Sequence, residues 1–165
     1  MVSEIWSGGQ CGADQGGLIA ALDLGLGMGG WMPKGWRCYV QNEDGIWIDG
    51  SRPEFAKLGL REDTSRGWSS RTKKNVHQTD GTFWLGNVSS GGGKLTIGTA
   101  KSANKPHFII HWRSGDKFPA GQTVLLREWL EVYGIRRLNV AGNREFTQPG
   151  IRKMTYQVLM GTLGE

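Results

Sequence analysis

The chain has 165 residues, of which 27 are glycine and eight are tryptophan, and its formal net charge is +5. Glycine at this level without abundant proline or a G-X-Y period excludes collagen, and 38% hydrophobic residues exclude a disordered chain. The dispersed basic charge favours anionic ligands over a nucleic-acid partner, and the length suits one domain, residues 1–165.

The amino-terminal part of the chain predicts a strand, a helix and a second short strand. We expect a strand at Val2–Trp6 and a helix from about Asp14, because Leu18 and Leu22 lie on one apolar stripe. Four glycines are expected to end that helix: Gly25, Gly27, Gly29 and Gly30. A short strand is expected next at Trp31–Met32.

Residues 34–66 show no clear periodicity, and we expect a long ordered loop there. A loop of such length in a compact domain is usually functional or disordered. Aromatic side chains within it argue against disorder, and they are Trp36, Tyr39, Trp47 and Phe55.

The rest of the chain predicts helices that alternate with strands. In chain order we expect a helix at Trp68–Thr79, a strand at Gly81–Leu85, a glycine-serine loop at Gly86–Gly93, a helix at Lys94–Ala103, a strand at His107–Trp112, a helix at Gln122–Tyr133, a strand at Arg137–Ala141 and a helix from about Pro149. Such alternation implies right-handed crossovers between parallel strands. The sequence therefore predicts an α/β fold, a three-layer sandwich with a mostly parallel sheet and helices on both faces.

Three glycine-rich loops, 7–12, 86–93 and 142–145, each follow a predicted strand. The carboxyl ends of parallel strands meet at one edge of the sheet, where ligands bind. Backbone N–H groups at a helix start, with no Cβ in the way, form an anion site. These loops predict a phosphate-bearing ligand, with ordinary tight turns as the alternative.

Two familiar nucleotide motifs do not fit the sequence. A dinucleotide fingerprint would need glycine where Ser7 stands, and no acidic residue follows the second strand to hold a ribose. A P-loop would need glycine in place of Val88 and a hydroxyl residue in place of Leu95. The sequence therefore argues against NAD binding and against ATP hydrolysis by the P-loop mechanism.

Signatures of catalysis, metal binding and membrane insertion are weak. No nucleophile elbow surrounds a serine, and the histidines have no partners at metal-ligand spacing, so we name no catalytic or metal-binding residue. Cys11 and Cys38 are expected to be free thiols in a reducing, cytoplasmic compartment. No apolar stretch approaches 18 residues, so we expect no membrane partner.

The sequence resembles the molybdenum cofactor carrier family over nearly its whole length. The matching segments come in family order, and they are Ser7-Gly8-Gly9-Gln10-x-Gly12-x-Asp14, Gly29-Gly30-Trp31-x-Pro33-Lys34-Gly35-x-Arg37, Glu43-Asp44-Gly45, Arg71-Thr72-x-x-Asn75-Val76, Asp80-Gly81-Thr82, Gly91–Gly93 with Thr96, Lys105-Pro106, Leu138-Asn139-Val140-Ala141-Gly142-x-Arg144-Glu145 and Pro149-Gly150-Ile151. The resemblance implies a Rossmann-like fold related to the lysine-decarboxylase-like phosphoribohydrolases and to nucleotide-sensing domains of bacterial defence proteins.

The resemblance also implies a binding protein rather than an enzyme. Family members are similar to proteins that hold molybdenum cofactor, a phosphorylated pterin, often as homo-oligomers. The expected function is to carry or sequester a phosphate-bearing small molecule. That molecule is either molybdenum cofactor as cargo or a nucleotide-derived signal such as cyclic ADP-ribose, which viral anti-defence sponge proteins sequester.

The candidate ligand-binding residues combine the glycine loops with the polar side chains expected near them. They are Gly8, Gly9, Gln10, Gly12, Asp14, Lys34, Arg37, Arg71, Asn75, Gly91, Gly92, Gly93, Lys94, Thr96, Asn143, Arg144 and Glu145. We expect ligand phosphates on residues 8–12 and 91–94, with an aromatic side chain of the middle loop stacked on a ring.

The chain departs from the family in the first loop, where Cys11 and Gln15 replace threonine and arginine. The ligand of this chain can therefore differ from that of the family. The alternative function is a hydrolase acting on a nucleotide N-glycosidic or phosphate bond. A hydrolase would need a carboxylate near the anion site, and the candidates are Asp14, Asp80 and Glu145. Residues 94–103 contain no acidic residue, where the phosphoribohydrolases carry a glutamate, and this disfavours the alternative.

Overall fold

A computed structural model describes residues 1–164 of the chain. Its strands are β1 (Glu4–Trp6), β2 (Gly27–Gly29), β3 (Trp31–Met32), β4 (Arg37–Gln41), β5 (Trp47–Ser51), β6 (Arg61–Glu62), β7 (Gly81–Leu85), β8 (His107–Ile110) and β9 (Arg137–Gly142). Its α-helices are α1 (Ala13–Asp23), α2 (Trp68–His77), α3 (Gly91–Ser102), α4 (Ala120–Val132) and α5 (Ile151–Leu163), and a 3-10 helix spans Pro53–Leu58.

A five-stranded parallel sheet forms the centre of the fold, in the order β2-β1-β9-β7-β8. In the register, Ile5 of β1 lies between Met28 and Leu138, and Phe83 of β7 lies between Val140 and Phe108. The crossover from β1 to β2 and the crossover from β7 to β8 leave the middle of the sheet in opposite directions. The carboxyl ends of β1, β9 and β7 therefore border a crevice of the kind that binds ligands in open α/β sheets.

Helices complete the sandwich. Helix α5 packs against α1 and α4, and α2 packs against α3, which contacts β7, β8 and β9. Right-handed crossovers in opposite directions place α1 and α3 on opposite faces of the sheet. The predicted α/β architecture is confirmed.

The main core lies between the sheet and the helices α1, α4 and α5. Strand side chains such as Phe83, Leu138 and Val140 are fully buried there, together with Ile151 and Leu159 of α5. Each such side chain contributes about 1.5–3 kcal/mol relative to an exposed position. The core therefore holds the strand ends, and the loops that follow them, in fixed positions.

The prediction of one long loop at 34–66 is wrong. Strands β4 and β5 form an antiparallel hairpin in which Tyr39 pairs with Asp49, and β6 pairs with β3. At the hairpin turn, Asn42 Oδ1 accepts hydrogen bonds from the Asp44 and Ile46 amides at 3.0 and 2.9 Å, and Gly45 has φ +75°. Both strands carry partly exposed side chains on each face, so no two-residue periodicity marked them in the sequence.

Two helix boundaries that involve glycines also differ from the prediction. Gly25 ends α1 with φ +65°, but Gly27 and Gly29 belong to β2, where a Cβ at Gly29 would lie 2.6 Å from Trp6 Nε1. Helix α3 begins at Gly91 and not at Lys94, because Ser90 Oγ accepts a hydrogen bond from the Gly93 amide at 3.1 Å and caps it. Gly91–Gly93 thus form the first turn of α3 and are not part of a loop.

A second apolar cluster holds the hairpin and β3 against α1, and its buried members are Leu18, Met32, Cys38 and Leu60. Cys11 and Cys38 are both buried free thiols. Among residues 1–164, no helix combines the length and the apolar character that a membrane span requires.

Candidate functional site

A cleft of about 580 Å³ lies beyond the carboxyl ends of β1, β7 and β9. Its walls come from the loop after β1 (Gln10), the amino-terminal parts of α1, α2 and α3, and residues 141–144 and 147, at the end of β9 and beyond it. The volume falls in the range of small-molecule sites. The cleft thus occupies the place where the topology of the sheet predicts a ligand.

The amino end of α3 borders this cleft through Gly91 and Gly92. First-turn amides of a helix have no partner within the helix, and the helix dipole adds partial positive charge there. No acidic side chain stands in the first turn of α3. A Cβ at Gly93 would lie 2.7 Å from Val88 Cα, so glycine allows this turn to pack on the preceding loop. The start of α3 is therefore suited to an anion.

A buried ion pair lies in the wall of the cleft. Arg71 Nη1 lies 3.6 Å from Asp14 Oδ2, and the two side chains are only 13% and 6% exposed. Burial raises the pKa of the Asp14 carboxyl, whereas Arg71 and the Gln10 and Gly8 amides lower it. Burial likewise lowers the pKa of Arg71, and Asp14 opposes that shift. The pair therefore brings little net charge to the cleft.

The glycines of the first loop support this pair and do not line the cleft. The backbone N–H of Gln10 donates a hydrogen bond to Asp14 Oδ2 at 3.2 Å. This N–H, which was expected to face a ligand phosphate, is therefore already occupied by the Asp14 carboxylate. A Cβ at Gly8 would collide with the Arg71 guanidinium and lie 2.8 Å from Asp14 Oδ2. A Cβ at Gly12 would lie 2.6 Å from the Glu145 amide nitrogen. These glycines bring Arg71 and the loop after β9 close to the start of α1.

Arg144 supplies a second guanidinium, held by aromatic rings. Its Cζ lies 4.9 Å from the centroid of Tyr39, 5.3 Å from that of Trp68 and 5.8 Å from that of Phe146. Tyr39 comes from the β4–β5 hairpin and stacks on Trp68 at 6.0 Å. Within residues 1–164, no carboxylate forms an ion pair with Arg144. Its positive charge is therefore available to a ligand in the cleft, which it lines.

Three buried hydrogen-bond donors in the cleft wall have no acceptor among the described residues. They are Gln10 Nε2, Arg71 Nε and Trp84 Nε1. Leaving a buried donor unpaired costs about 1–3 kcal/mol. All three donors belong to residues that line this one cleft.

The structure brings part of the predicted site together. The predicted residues that line the cleft are Gln10, Asp14, Arg71, Gly91, Gly92, Thr96, Asn143 and Arg144. The predicted residues that lie outside its lining are Gly8, Gly9, Gly12, Lys34, Arg37, Asn75, Gly93, Lys94 and Glu145.

Several predicted residues outside the lining make contacts elsewhere in the fold, which explains why they do not face the cleft. Arg37 Nε donates to Asp49 at 2.8 Å, and its guanidinium lies 4.3 Å from the centroid of Trp68. Asn75 binds the Trp31 backbone, with Oδ1 accepting from N at 2.8 Å and Nδ2 donating to O at 3.1 Å. These side chains position the walls of the cleft, whereas Lys34 and Lys94 are exposed.

The other two hydrolase candidates are also engaged in the fold. Glu145 accepts hydrogen bonds from the Gly150 and Arg152 amides at 2.7 and 2.9 Å, at the start of α5. Asp80 precedes β7, at the opposite edge of the sheet from the cleft, and accepts from the Arg136 and Arg137 amides at 3.0 and 2.7 Å. Asp14 is thus the carboxylate that lines the cleft.

Sequence reasoning missed other lining residues, among them Trp68, Ser69, Thr72, Trp84, Ser90 and Thr147. Two of them had a usable signal. Phe83 and Leu85 face the main core, so the alternation of β7 sends Trp84 to the other face. Ser90 before three glycines matches an N-cap pattern. Trp68 had no such signal, because its place depends on the hairpin.

The described residues offer no obvious metal site or activated thiol. In residues 1–164, no three His, Cys, Asp or Glu side chains cluster as a metal ion would need. Burial raises the pKa of Cys11, and burial raises that of Cys38 to about 11. Both thiols therefore stay protonated at neutral pH.

A parallel sheet in the order β2-β1-β9-β7-β8 with helices on both faces defines a Rossmann-like fold. The circularly permutated YpsA SLOG family matches residues 5–163, and the chain belongs to that family. A solved structure from Syntrophus aciditrophicus SB, named "putative molybdenum carrier protein", is 32% identical with a TM-score of 0.85, and the match covers 99% of this chain and 96% of that one. The family resemblance found in the motifs is thereby confirmed. No curated protein matches the sequence significantly.

Proposed function

We propose that this protein binds a phosphate-bearing small molecule in the cleft and carries or sequesters it without chemical change. The observation that carries the proposal is the convergence of Arg144, which has no acidic partner in residues 1–164, with the amino end of α3 on one cleft. A guanidinium and helix amides are the groups that bind phosphate most readily. The charge of Asp14 does not oppose them, because Arg71 balances it.

The name of the similar protein supports a molybdenum carrier. The cargo proposed here is accordingly molybdenum cofactor, a phosphorylated pterin, with a nucleotide-derived signal such as cyclic ADP-ribose as the second candidate. The cleft would hold either one through its phosphate and its ring. Trp68 lines the cleft, and its flat side chain is suited to stacking on such a ring.

The positions of the carboxylates favour binding over hydrolysis. General base catalysis needs a carboxylate that is free to take a proton close to the substrate. Glu145 caps α5, Asp80 lies at the other edge of the sheet, and Asp14 is held by Arg71 and the Gln10 amide.

Native mass spectrometry with a small ligand panel tests the proposal. The panel pairs phosphorylated pterin with phosphate-free pterin, and cyclic ADP-ribose with adenosine. We expect an adduct with at least one phosphorylated member and a much weaker one with its phosphate-free counterpart. Equal retention of both members of each pair, or no adduct at all, would contradict the proposal.

A further inference from the structure

We infer that Gln10 determines specificity in this cleft by donating from Nε2 to a neutral acceptor on the ligand, either a carbonyl oxygen or an unprotonated ring nitrogen. This inference rests on the proposed function, because it concerns the same cleft. It adds a second part to the ligand: a heterocycle with an acceptor at its edge, besides the phosphate.

The orientation of the Gln10 amide is fixed by the backbone. Oε1 accepts hydrogen bonds from the Cys11 amide at 3.0 Å and from the Tyr39 amide at 2.8 Å. A flipped amide would place Nε2 against two N–H donors. The two backbone amides therefore identify the other terminal atom as nitrogen, a donor.

The free end of this amide is buried and unpaired. Gln10 is 5% exposed, it lines the cleft, and its Nε2 finds no acceptor among residues 1–164. A buried donor without a partner is costly, and a ligand acceptor removes the cost. A ligand with an N–H at the same place would leave two donors facing each other.

The neighbouring groups show that Gln10 reads a neutral part of the ligand. A phosphate finds better partners in Arg144 and in the first turn of α3, because both carry positive charge. The Gln10 amide is uncharged. Trp84 Nε1, which is also buried, unpaired and part of the cleft lining, adds another neutral donor. The cleft thus combines charged donors with neutral donors, as a phosphorylated heterocycle with keto groups would require.

Gln10→Glu tests this inference with little change in shape. The carboxylate still accepts from the Cys11 and Tyr39 amides, but the donor at Nε2 becomes an acceptor. We would measure affinities by calorimetry for two pairs that differ in a keto or an amino group, inosine and adenosine monophosphate, and uridine and cytidine monophosphate. Ribose 5-phosphate, which has no base, gives the phosphate contribution alone. Gln15→Glu is the matched control, since Gln15 Nε2 already donates to the Gly9 carbonyl at 3.3 Å and Gln15 lies outside the cleft lining.

We expect wild-type protein to prefer the keto member of at least one pair. Gln10→Glu should shift that ratio toward the amino member by about tenfold or more, the size expected for one buried hydrogen bond. Gln15→Glu should leave the ratio unchanged. Ratios within a pair cancel the general effect of the added negative charge on phosphate binding.

The outcomes separate the two proposals. Binding of the nucleotides with the same ratios in wild type and Gln10→Glu would overturn the inference and leave the proposed function standing. Failure of ribose 5-phosphate and of every nucleotide to bind would overturn the inference, whereas the proposed function falls only if the pterin and cyclic ADP-ribose panel gives no phosphate-dependent adduct. If Gln10→Glu does not fold, the wild-type ratios decide, and equal affinity within both pairs overturns the inference.

Discussion

Arg71 Nη1 lies 3.6 Å from Asp14 Oδ2, next to a glycine that leaves room for both groups. Neither charge is free, since each is the other's partner in a buried wall. The cleft therefore owes its net positive potential to Arg144 and to the start of α3. Arg71 thus shapes the wall of the cleft, whereas Arg144 is available to a ligand.

Replacing Arg144 should weaken binding of a phosphorylated ligand while the fold persists. Arg144→Ala removes a charge-assisted contact to the ligand, which is worth about 1.5–3 kcal/mol. We expect at least a tenfold rise in the dissociation constant, measured by calorimetry. Arg113→Ala, at an exposed arginine outside the cleft lining, is the control. Equal losses in the two variants would show that only general charge matters.

Two glycines of α3 should respond in opposite ways to alanine. Gly93→Ala forces a Cβ to within 2.7 Å of Val88 Cα and should cost about 1–3 kcal/mol in the free energy of unfolding. A Cβ at Gly98 meets no atom within 4 Å among the described residues, so Gly98→Ala should stabilise the helix by about 0.5–1 kcal/mol. Urea denaturation measures both. An unchanged or stabilised Gly93→Ala would mean that the first turn of α3 does not pack on residue 88.

Lys74 should stabilise the fold in a pH-dependent way. Burial raises the pKa of Asp63, but hydrogen bonds from Lys74, Ser70 and the Thr64 amide outweigh it and lower the pKa to about 2. Lys74 Nζ lies 2.7 Å from Asp63 Oδ1. The lowered pKa gives stability that is present above the ordinary value of 3.8 and is lost as the pH falls toward 2.

Lys74→Met should therefore cost about 1.5 kcal/mol at pH 7, the size expected for one hydrogen bond to a charged group, and progressively less below pH 3.8. Lys73→Met, at the exposed neighbour, should cost little at any pH. Urea denaturation of both variants between pH 7 and pH 3 measures this stability cost. A cost of Lys74→Met that stays constant with pH would rule out Asp63 as the partner of Lys74.

The Asp14 carboxyl should have the opposite pH dependence. Its pKa is raised in the folded state, chiefly by burial, so the folded protein holds this proton more tightly than the unfolded chain. The contribution to stability is present below the ordinary value of 3.8 and is lost as the pH rises through the raised pKa. In urea denaturation, the difference in the free energy of unfolding between Asp14→Asn and wild type should thus move in favour of the variant as the pH rises above 3.8. A difference that does not change with pH would contradict the raised pKa.

The sequence predicted four of the five strands of the central sheet, because these four are short apolar runs, and it missed β2 at Gly27–Gly29. Gly81–Leu85 is buried at every position, and its bounds were predicted to the residue. The same logic failed for Trp47–Ser51, whose side chains are half-buried or exposed and carry no periodic signal. Hairpin strands with both faces partly covered by distant residues cannot be recognised from local pattern.

The sequence predicted those cleft residues whose positions follow from the backbone and the strand order. It missed those whose positions depend on side-chain packing between distant segments. Gly91 and Gly92 border the cleft because they follow a central strand. The ring stack on Arg144 depends on Tyr39, which the β4–β5 hairpin delivers from a region without predicted strands. The role of Asp14 as partner of Arg71 likewise depends on a long-range approach that spacing does not show.

The central claim is that a phosphorylated molecule is held in the cleft and remains unchanged. Its most direct measurement is the mass of the molecule that denaturation releases after the loaded protein has been incubated at neutral pH. The account predicts one phosphate-bearing ligand per occupied cleft, recovered with the mass at which it was bound. Recovery of a cleaved product, or of a ligand without phosphate, would contradict it.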